Sequence, residues 1–185
     1  MVLEPAMLFD LSQLREARTH VARTYEPSAF AAGDEDAYLV VEPVQLEMDV
    51  DKDGSQYRLV GRVRTMLRLN CGRCLEDFTM PVDASFDLLY LPHAENEGEG
   101  EVEVEDDDLS TAYYRDEEID LGQLMREQFY LALPMKPLCR ESCRGLCPQC
   151  GTNLNSGTCS CSPTWTDPRL EGLRALIDKG GDREV

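Results

Sequence analysis

Histidine is nearly missing from this chain. Of 185 residues only His20 and His93 are imidazoles, and both lie far in sequence from the C-terminal cysteine cluster. That argues against a Ser-His-Asp constellation, and against a catalytic zinc, which keeps an open coordination position and usually a His or carboxylate ligand. Positive charge is also short. Eighteen Lys and Arg stand against 36 Asp and Glu, a net charge of −18 with a pI near 4.4. Non-specific nucleic-acid binding rests on neutralising phosphates, so the overall field opposes it and suits a basic partner better. No apolar run approaches the ~18 residues of a membrane span, and Met1–Phe9 has no basic n-region before a long apolar stretch. The expectation is a cytosolic protein with reduced cysteines, no membrane association and no small-molecule substrate. No P-loop or GxGxxG is present. The paired acids sit in a run too flexible to hold catalytic geometry, so no enzyme is expected.

Cysteine, by contrast, is concentrated. Six of the eight fall in 23 consecutive residues, Cys139, Cys143, Cys147, Cys150, Cys159 and Cys161. The centre is Cys147-Pro-Gln-Cys150-Gly151. Pro148 stiffens the turn and Gly151 can take the φ > 0 conformation that ends it, leaving backbone N–H groups aimed at two thiolates. The Cys159-Ser-Cys161 pair could supply two more sulfurs for a closed tetrahedral Zn²⁺ site. The expected ligands are four of Cys143, Cys147, Cys150, Cys159 and Cys161, with Cys139 in reserve. The alternatives are disulfides or buried free thiols, and a reducing compartment favours the metal. Four thiolates and one Zn²⁺ leave a formal −2, and Lys136, Arg140 and Arg144 lie beside them as counter-charges. Cys71-Gly-Arg-Cys74 is a second CxxC. It can be half of a second metal site, a redox pair or a tight turn. A thioredoxin-like role fails, since this motif joins two antiparallel strands and not a strand and a helix. Eight cysteines suffice for two Cys₄ sites, but a single C-terminal zinc is the preferred reading.

Three runs alternate with period two: Tyr38, Val40, Val44, Leu46, Met48 and Val50; Tyr57 to Cys71 on odd positions; Phe78 to Tyr90 on even positions. Such alternation predicts a half-buried antiparallel sheet. A four-residue turn at Asp51–Gly54 would pair Met48 with Tyr57 and Leu46 with Leu59, and set Glu47 opposite Arg58. The outer face of the middle strand carries Arg58, Arg62, Arg64 and Arg68. These are either an RNA-phosphate stripe or, the favoured reading, a solvated face paired with Glu47, Asp83 and Asp87. Elsewhere, Leu14, Ala17 and Val21 suggest a helix after Asp10 or Ser12, and 26–37 reads as a loop. Residues 95–118 hold twelve acids and one Arg, which predicts a disordered insert: a docking segment for a basic protein or a solubiliser. Asp120 caps a predicted helix to about Leu133 whose Leu121, Leu124, Met125, Phe129 and Ala132 face the sheet. A last helix is expected from Pro168 to Gly180, with Trp165 packed between it and the cysteine knot.

Cys71-Gly-Arg-Cys74-Leu, Ile119-Asp-Leu121, Leu133-Pro134, Cys143 to Asn155 and Cys159-Ser-Cys161 together resemble the YceD family, over roughly residues 6–178. Its members are called large ribosomal RNA subunit accumulation proteins. The resemblance implies a bacterial, non-enzymatic factor in synthesis, processing or stability of large-subunit rRNA. Its gene often adjoins that of a small basic ribosomal protein, which makes that protein or the pre-rRNA the expected partner. Some relatives keep the first Cys pair and lack the C-terminal cluster, so that pair need not share the C-terminal metal. No catalytic residues carry over. The expected architecture is α+β: residues 1–135 an antiparallel sheet packed by one or two helices, with the acidic insert, and 136–185 a small zinc-binding knot and helix. The rival reading is a redox sensor in which oxidation ejects zinc.

Overall fold

In the computed structural model, which describes residues 7–30, 37–93, 110–161 and Arg169, the long strands follow the period-two pattern. The elements are β1 (Leu8–Asp10), β2 (Arg18–Tyr25), β3 (Leu39–Val40), β4 (Val44–Asp53), β5 (Gln56–Asn70), β6 (Asp77–Pro92), β7 (Thr111–Tyr114), β8 (Glu118–Asp120) and α1 (Leu121–Ala132). The chain is mostly sheet with one helix among the described residues. It divides into two compact units, Met1–Cys71 with Glu76–Cys139, and Gly72–Leu75 with Arg140–Val185.

The first unit is built on a sheet in the order β2-β4-β5-β6-β7, with β3 also paired to β5. All pairings are antiparallel except β6 with β7. Leu59, Val63 and Leu67 of β5 are fully buried, and Val82 and Phe86 of β6 are 3% and 7% exposed. One β5 position on this face must stay small. Gly61 lies between Met48 and Phe86, and a Cβ there would come within 2.5 Å of Met48 Cβ and 2.6 Å of the Glu47 carbonyl. The helix α1 starts as expected, its Asp120 side chain accepting from Gln123 N. It buries Leu121, Leu124, Met125 and Phe129, and Phe129 stacks edge-on with Phe30 and Tyr38. Pro134 lies just beyond its end.

Four expectations need correction. Residues 18–25 form a strand, not a helix, pairing with β4 from Arg18↔Asp51 to Tyr25↔Val44. The helical spacing of Leu14, Ala17 and Val21 is accidental. Val21 and Tyr25 are the buried positions of an alternating segment rich in β-branched residues. The Asp10 cap is real but serves a single 3₁₀ turn, Leu11–Gln13.

The β4–β5 hairpin turns tightly at Gly54-Ser55, with Gly54 at φ 59°. Its register is therefore Met48↔Gly61, Leu46↔Val63 and Glu47↔Arg62, four residues from the one expected. An even slip keeps every side chain on its face, so hydrophobic patterning cannot detect it.

The run from Tyr38 to Val50 is not one strand. Around Pro43 the pairing with β5 slips by two residues between β3 and β4, as a proline without an N–H would dictate. The expected insert 95–118 is ordered in its last part, where β7 pairs with β6 and β8 with β1. The remainder of that run, Trp165 and the helix expected over 168–180 lie outside the described residues.

Candidate metal centre

At the turn between β5 and β6, Gly72–Leu75 belong to the second unit while Cys71 and Glu76 belong to the first. There Cys71 N donates to Glu76 O at 2.9 Å, closing a loop around Cys71-Gly-Arg-Cys74. Leu75, the residue after the second cysteine, has φ 61°. The turn at Cys147-Pro-Gln-Cys150 repeats this construction. Cys147 N donates to Thr152 O at 2.8 Å, and Gly151, again directly after the second cysteine, has φ 72°. Two CxxC turns thus share one backbone form, a knuckle that leaves two sulfurs side by side. In the first, a leucine holds the left-handed position that glycine fills in the second. Leu75 is 65% exposed, so its side chain meets no crowding there.

Each knuckle receives a second pair of cysteines. The sulfurs of Cys71, Cys74, Cys139 and Cys143 all lie within 4.8 Å of one another, and so do those of Cys147, Cys150, Cys159 and Cys161. Four thiols at this separation suit a tetrahedral ion with metal–sulfur bonds near ~2.3 Å, whose sulfurs stand ~3.8 Å apart. Either group could hold a metal ion, and all eight cysteines are free of disulfides. The two differ in exposure. Cys71, Cys74 and Cys143 are buried and Cys139 half-buried. In the other group Cys147 alone is buried, and Cys150 is exposed.

The expected ligand set drew on Cys143, Cys147, Cys150, Cys159 and Cys161 for one ion. The structure places the last four together and puts Cys143 with Cys71, Cys74 and the reserve residue Cys139. The signal that could have separated them is the repeated knuckle: each CxxC needs its own second pair.

The surrounding chain positions these sulfurs. Cys143 N donates to Arg140 O at 3.0 Å. Gly145, at φ 73°, passes so close to Arg73 that a Cβ would stand 3.0 Å from the Arg73 carbonyl, and Leu146 N donates to that same carbonyl at 3.1 Å. The Arg73 guanidinium donates to Cys143 O at 2.9 Å. Asn155 Nδ2 donates to Cys143 Sγ at 3.3 Å, and Thr152 Oγ1 sits 3.2 Å from Cys150 Sγ. As free thiols the second group divides its charge unequally. Cys150 is pulled down to about 6, chiefly by the Thr152 hydroxyl, while hydrogen bonding to Cys150 pushes Cys161 up to about 12. Bringing all four sulfurs to the thiolate form would need a cation to offset their mutual repulsion.

The predicted arginine stripe lies on the exposed face of β5. Arg58 is held bidentate by Asp87, with Nη2–Oδ2 at 2.6 Å, Arg62 pairs with Asp83, and Arg64 lies 3.6 Å from Asp83. Arg58 in turn holds the Asp87 carboxyl below the usual aspartate range. Asp83 and Asp87 are therefore the partners the solvated-face reading named. Glu47 approaches His20, at 3.9 Å, and Arg68 makes no ion pair among the described residues. Adjacent strands alternate in sign: Arg18 on β2, Glu47 and Asp49 on β4, arginines on β5, Asp83 and Asp87 on β6. Cross-strand pairing of this kind satisfies Arg58, Arg62 and Arg64 within the sheet.

The class that the fold and site define is a sheet unit joined in one chain to two CxxC knuckles, with two all-cysteine groups that could each hold a metal ion. Over residues 59–177 the chain matches the family described as Large ribosomal RNA subunit accumulation protein YceD, and it belongs to that family. It is 32% identical over 157 residues to the chloroplastic YCED homolog 1 of Zea mays, a match covering 72% of this chain and 52% of that protein. The Arabidopsis thaliana homolog 1 is 31% identical over 163 residues, 77% of this chain and 51% of the relative. The chain thus spans about half the length of these relatives. The Bacillus subtilis protein YlbN, uncharacterised, is 26% identical over 138 residues, 74% of this chain and 76% of its own. No solved structure matches. None of the described helices is long and apolar enough to cross a membrane.

Proposed function

We propose that this protein is a non-enzymatic ribosome-biogenesis factor of the cytosol that supports accumulation of large-subunit rRNA by holding a basic ribosomal protein. The observation that carries the role is the family match, which runs from β5 through both cysteine groups. For the partner, the net charge of −18 favours a basic surface over phosphate. The exposed arginines of β5 support the same choice, since Arg58, Arg62 and Arg64 already have carboxylate partners.

Each tetracysteine group holds one Zn²⁺, as closed all-sulfur sites do in proteins that use zinc for shape rather than chemistry. Zinc has no redox state to lose and prefers four sulfurs in a tetrahedron, and the close grouping of the cysteines supports that choice.

The test is affinity capture of the tagged full chain, read for protein and RNA before and after nuclease. Recovery of one basic large-subunit protein, resistant to nuclease and lost at high salt, supports the reading. Recovery of pre-rRNA with nuclease-sensitive proteins moves the contact to RNA. Deleting the gene should lower large-subunit rRNA relative to small-subunit rRNA. An unchanged ratio would remove the role.

A further inference from the structure

We propose that Asn155 couples the two metal groups, so that filling Cys147, Cys150, Cys159 and Cys161 strengthens metal binding at Cys71, Cys74, Cys139 and Cys143. This rests on the reading that both groups hold a metal ion. Asn155 belongs by sequence to the second group, in the loop between Cys150 and Cys159. By contact it serves the first: its Nδ2 lies 3.3 Å from Cys143 Sγ. The amide orientation is fixed by its other end, where Oδ1 accepts from Arg144 N at 2.9 Å, so the NH₂ group faces the sulfur.

The loop that presents Asn155 is tied internally. Asn153 Oδ1 accepts from both Asn155 N and Asn155 Nδ2 at 2.9 Å, and Gly157 N donates to Asn153 O at 3.0 Å. Leu154 N donates to Gly145 O at 2.9 Å, two residues from Cys143. Cys150 and Cys159 bracket this loop, and a metal ion bound by both fixes its two ends. It thereby removes conformational freedom that would otherwise be lost when Asn155 is brought to Cys143.

An N–H donor on a thiolate offsets part of the negative charge that four sulfurs and a dication leave. The first group therefore gains affinity when the second is occupied. Linkage requires the converse by the same factor.

Stepwise addition of Co²⁺ to the reduced full chain, followed by Zn²⁺ competition, reads this directly through the thiolate charge-transfer absorption. Wild type should take up two ions; fewer than two overturns the two-metal reading and the coupling with it. With the second group disabled by Cys150→Ser and Cys161→Ser, affinity of the first should fall about tenfold. Asn155→Ala in the otherwise wild-type chain should lower first-group affinity by about tenfold, the same loss as disabling the second group. It should also move the first-group band to lower energy, because a sulfur without its N–H donor gives charge to the metal more easily. Added to the disabled chain, it should cost little more. In a Cys71→Ser, Cys74→Ser chain, Asn155→Ala should leave second-group affinity unchanged; a fall there means that Asn155 only folds its own loop and overturns the coupling. So does an Asn155→Ala protein with two ions bound, first-group affinity within about twofold of wild type and an unmoved band.

Discussion

Leu46, Leu59, Val63 and Leu67 of the sheet unit are each exposed by 1% or less, and they continue into a cluster that takes in Tyr25, Phe30 and Phe129. In the other unit the buried described residues are Cys74, Cys143, Gly145 and Cys147. Among the described residues, one interior is hydrocarbon and the other is mainly sulfur. A segment this short cannot bury enough apolar surface to offset its chain entropy, and a metal is the ordinary substitute for the missing core. The comparison teaches where each unit is vulnerable. The sheet should respond to lost methylenes, the knuckles to lost ions.

The largest break in that contrast is metal removal. Because a structural zinc contributes on the order of 10 kcal/mol or more of apparent binding free energy, a strong chelator should unfold residues 140–161 while the strands persist. Amide exchange resolved by segment would show protection lost across the knuckles and kept in β5 and β6. Uniform loss would mean that the sheet also depends on metal.

A truncation in the hydrocarbon interior should act on the other unit. Phe86→Ala should cost about 3–5 kcal/mol in denaturant unfolding of the sheet, with metal content unchanged. A loss below ~1 kcal/mol would mean that the β6 face contributes little.

Backbone strain should matter in the knuckle unit. Gly145→Ala forces an L side chain into φ 73° and toward the Arg73 carbonyl. A cost of about 1–3 kcal/mol is expected, read as a higher midpoint for chelator-driven release in the wild type than in the variant.

The smallest effect belongs to the exposed ladder. Asp87→Asn removes the partner of Arg58 on a screened surface, so the change in stability should be slight. Its sign with pH is fixed by the lowered Asp87 pKa: the ion pair's contribution is present above the ordinary aspartate value of 3.8 and is lost as pH falls through the lower folded value. Wild type and variant should therefore converge in acid. Divergence in acid would mean that Asp87 acts otherwise.

The central strands were legible because period-two alternation is what a half-buried strand requires, and Asp120 with its apolar stripe announced α1. Register was not legible, since Met48 faces the core whether it pairs with Tyr57 or Gly61. The strand β2 was hidden because Leu14, Ala17 and Val21 satisfy a helical spacing as well, and its partner β4 decides between them. The short strands β7 and β8 were masked by acidic neighbours, and their order comes from pairing with β6 and β1. Cysteine spacing marked the candidate ligands as a set but could not divide them into the two groups the structure brings together. That division depends on Cys71 and Cys74 lying near Cys139 and Cys143, a contact some 65 residues apart in sequence.

The most direct test is the zinc content of the reduced, purified chain and of two variants. Two ions per chain are expected in the wild type, with one remaining in Cys74→Ser and one in Cys150→Ser. A single ion that survives Cys74→Ser and disappears in Cys150→Ser would contradict the paired-knuckle account and return the first CxxC to a simple turn.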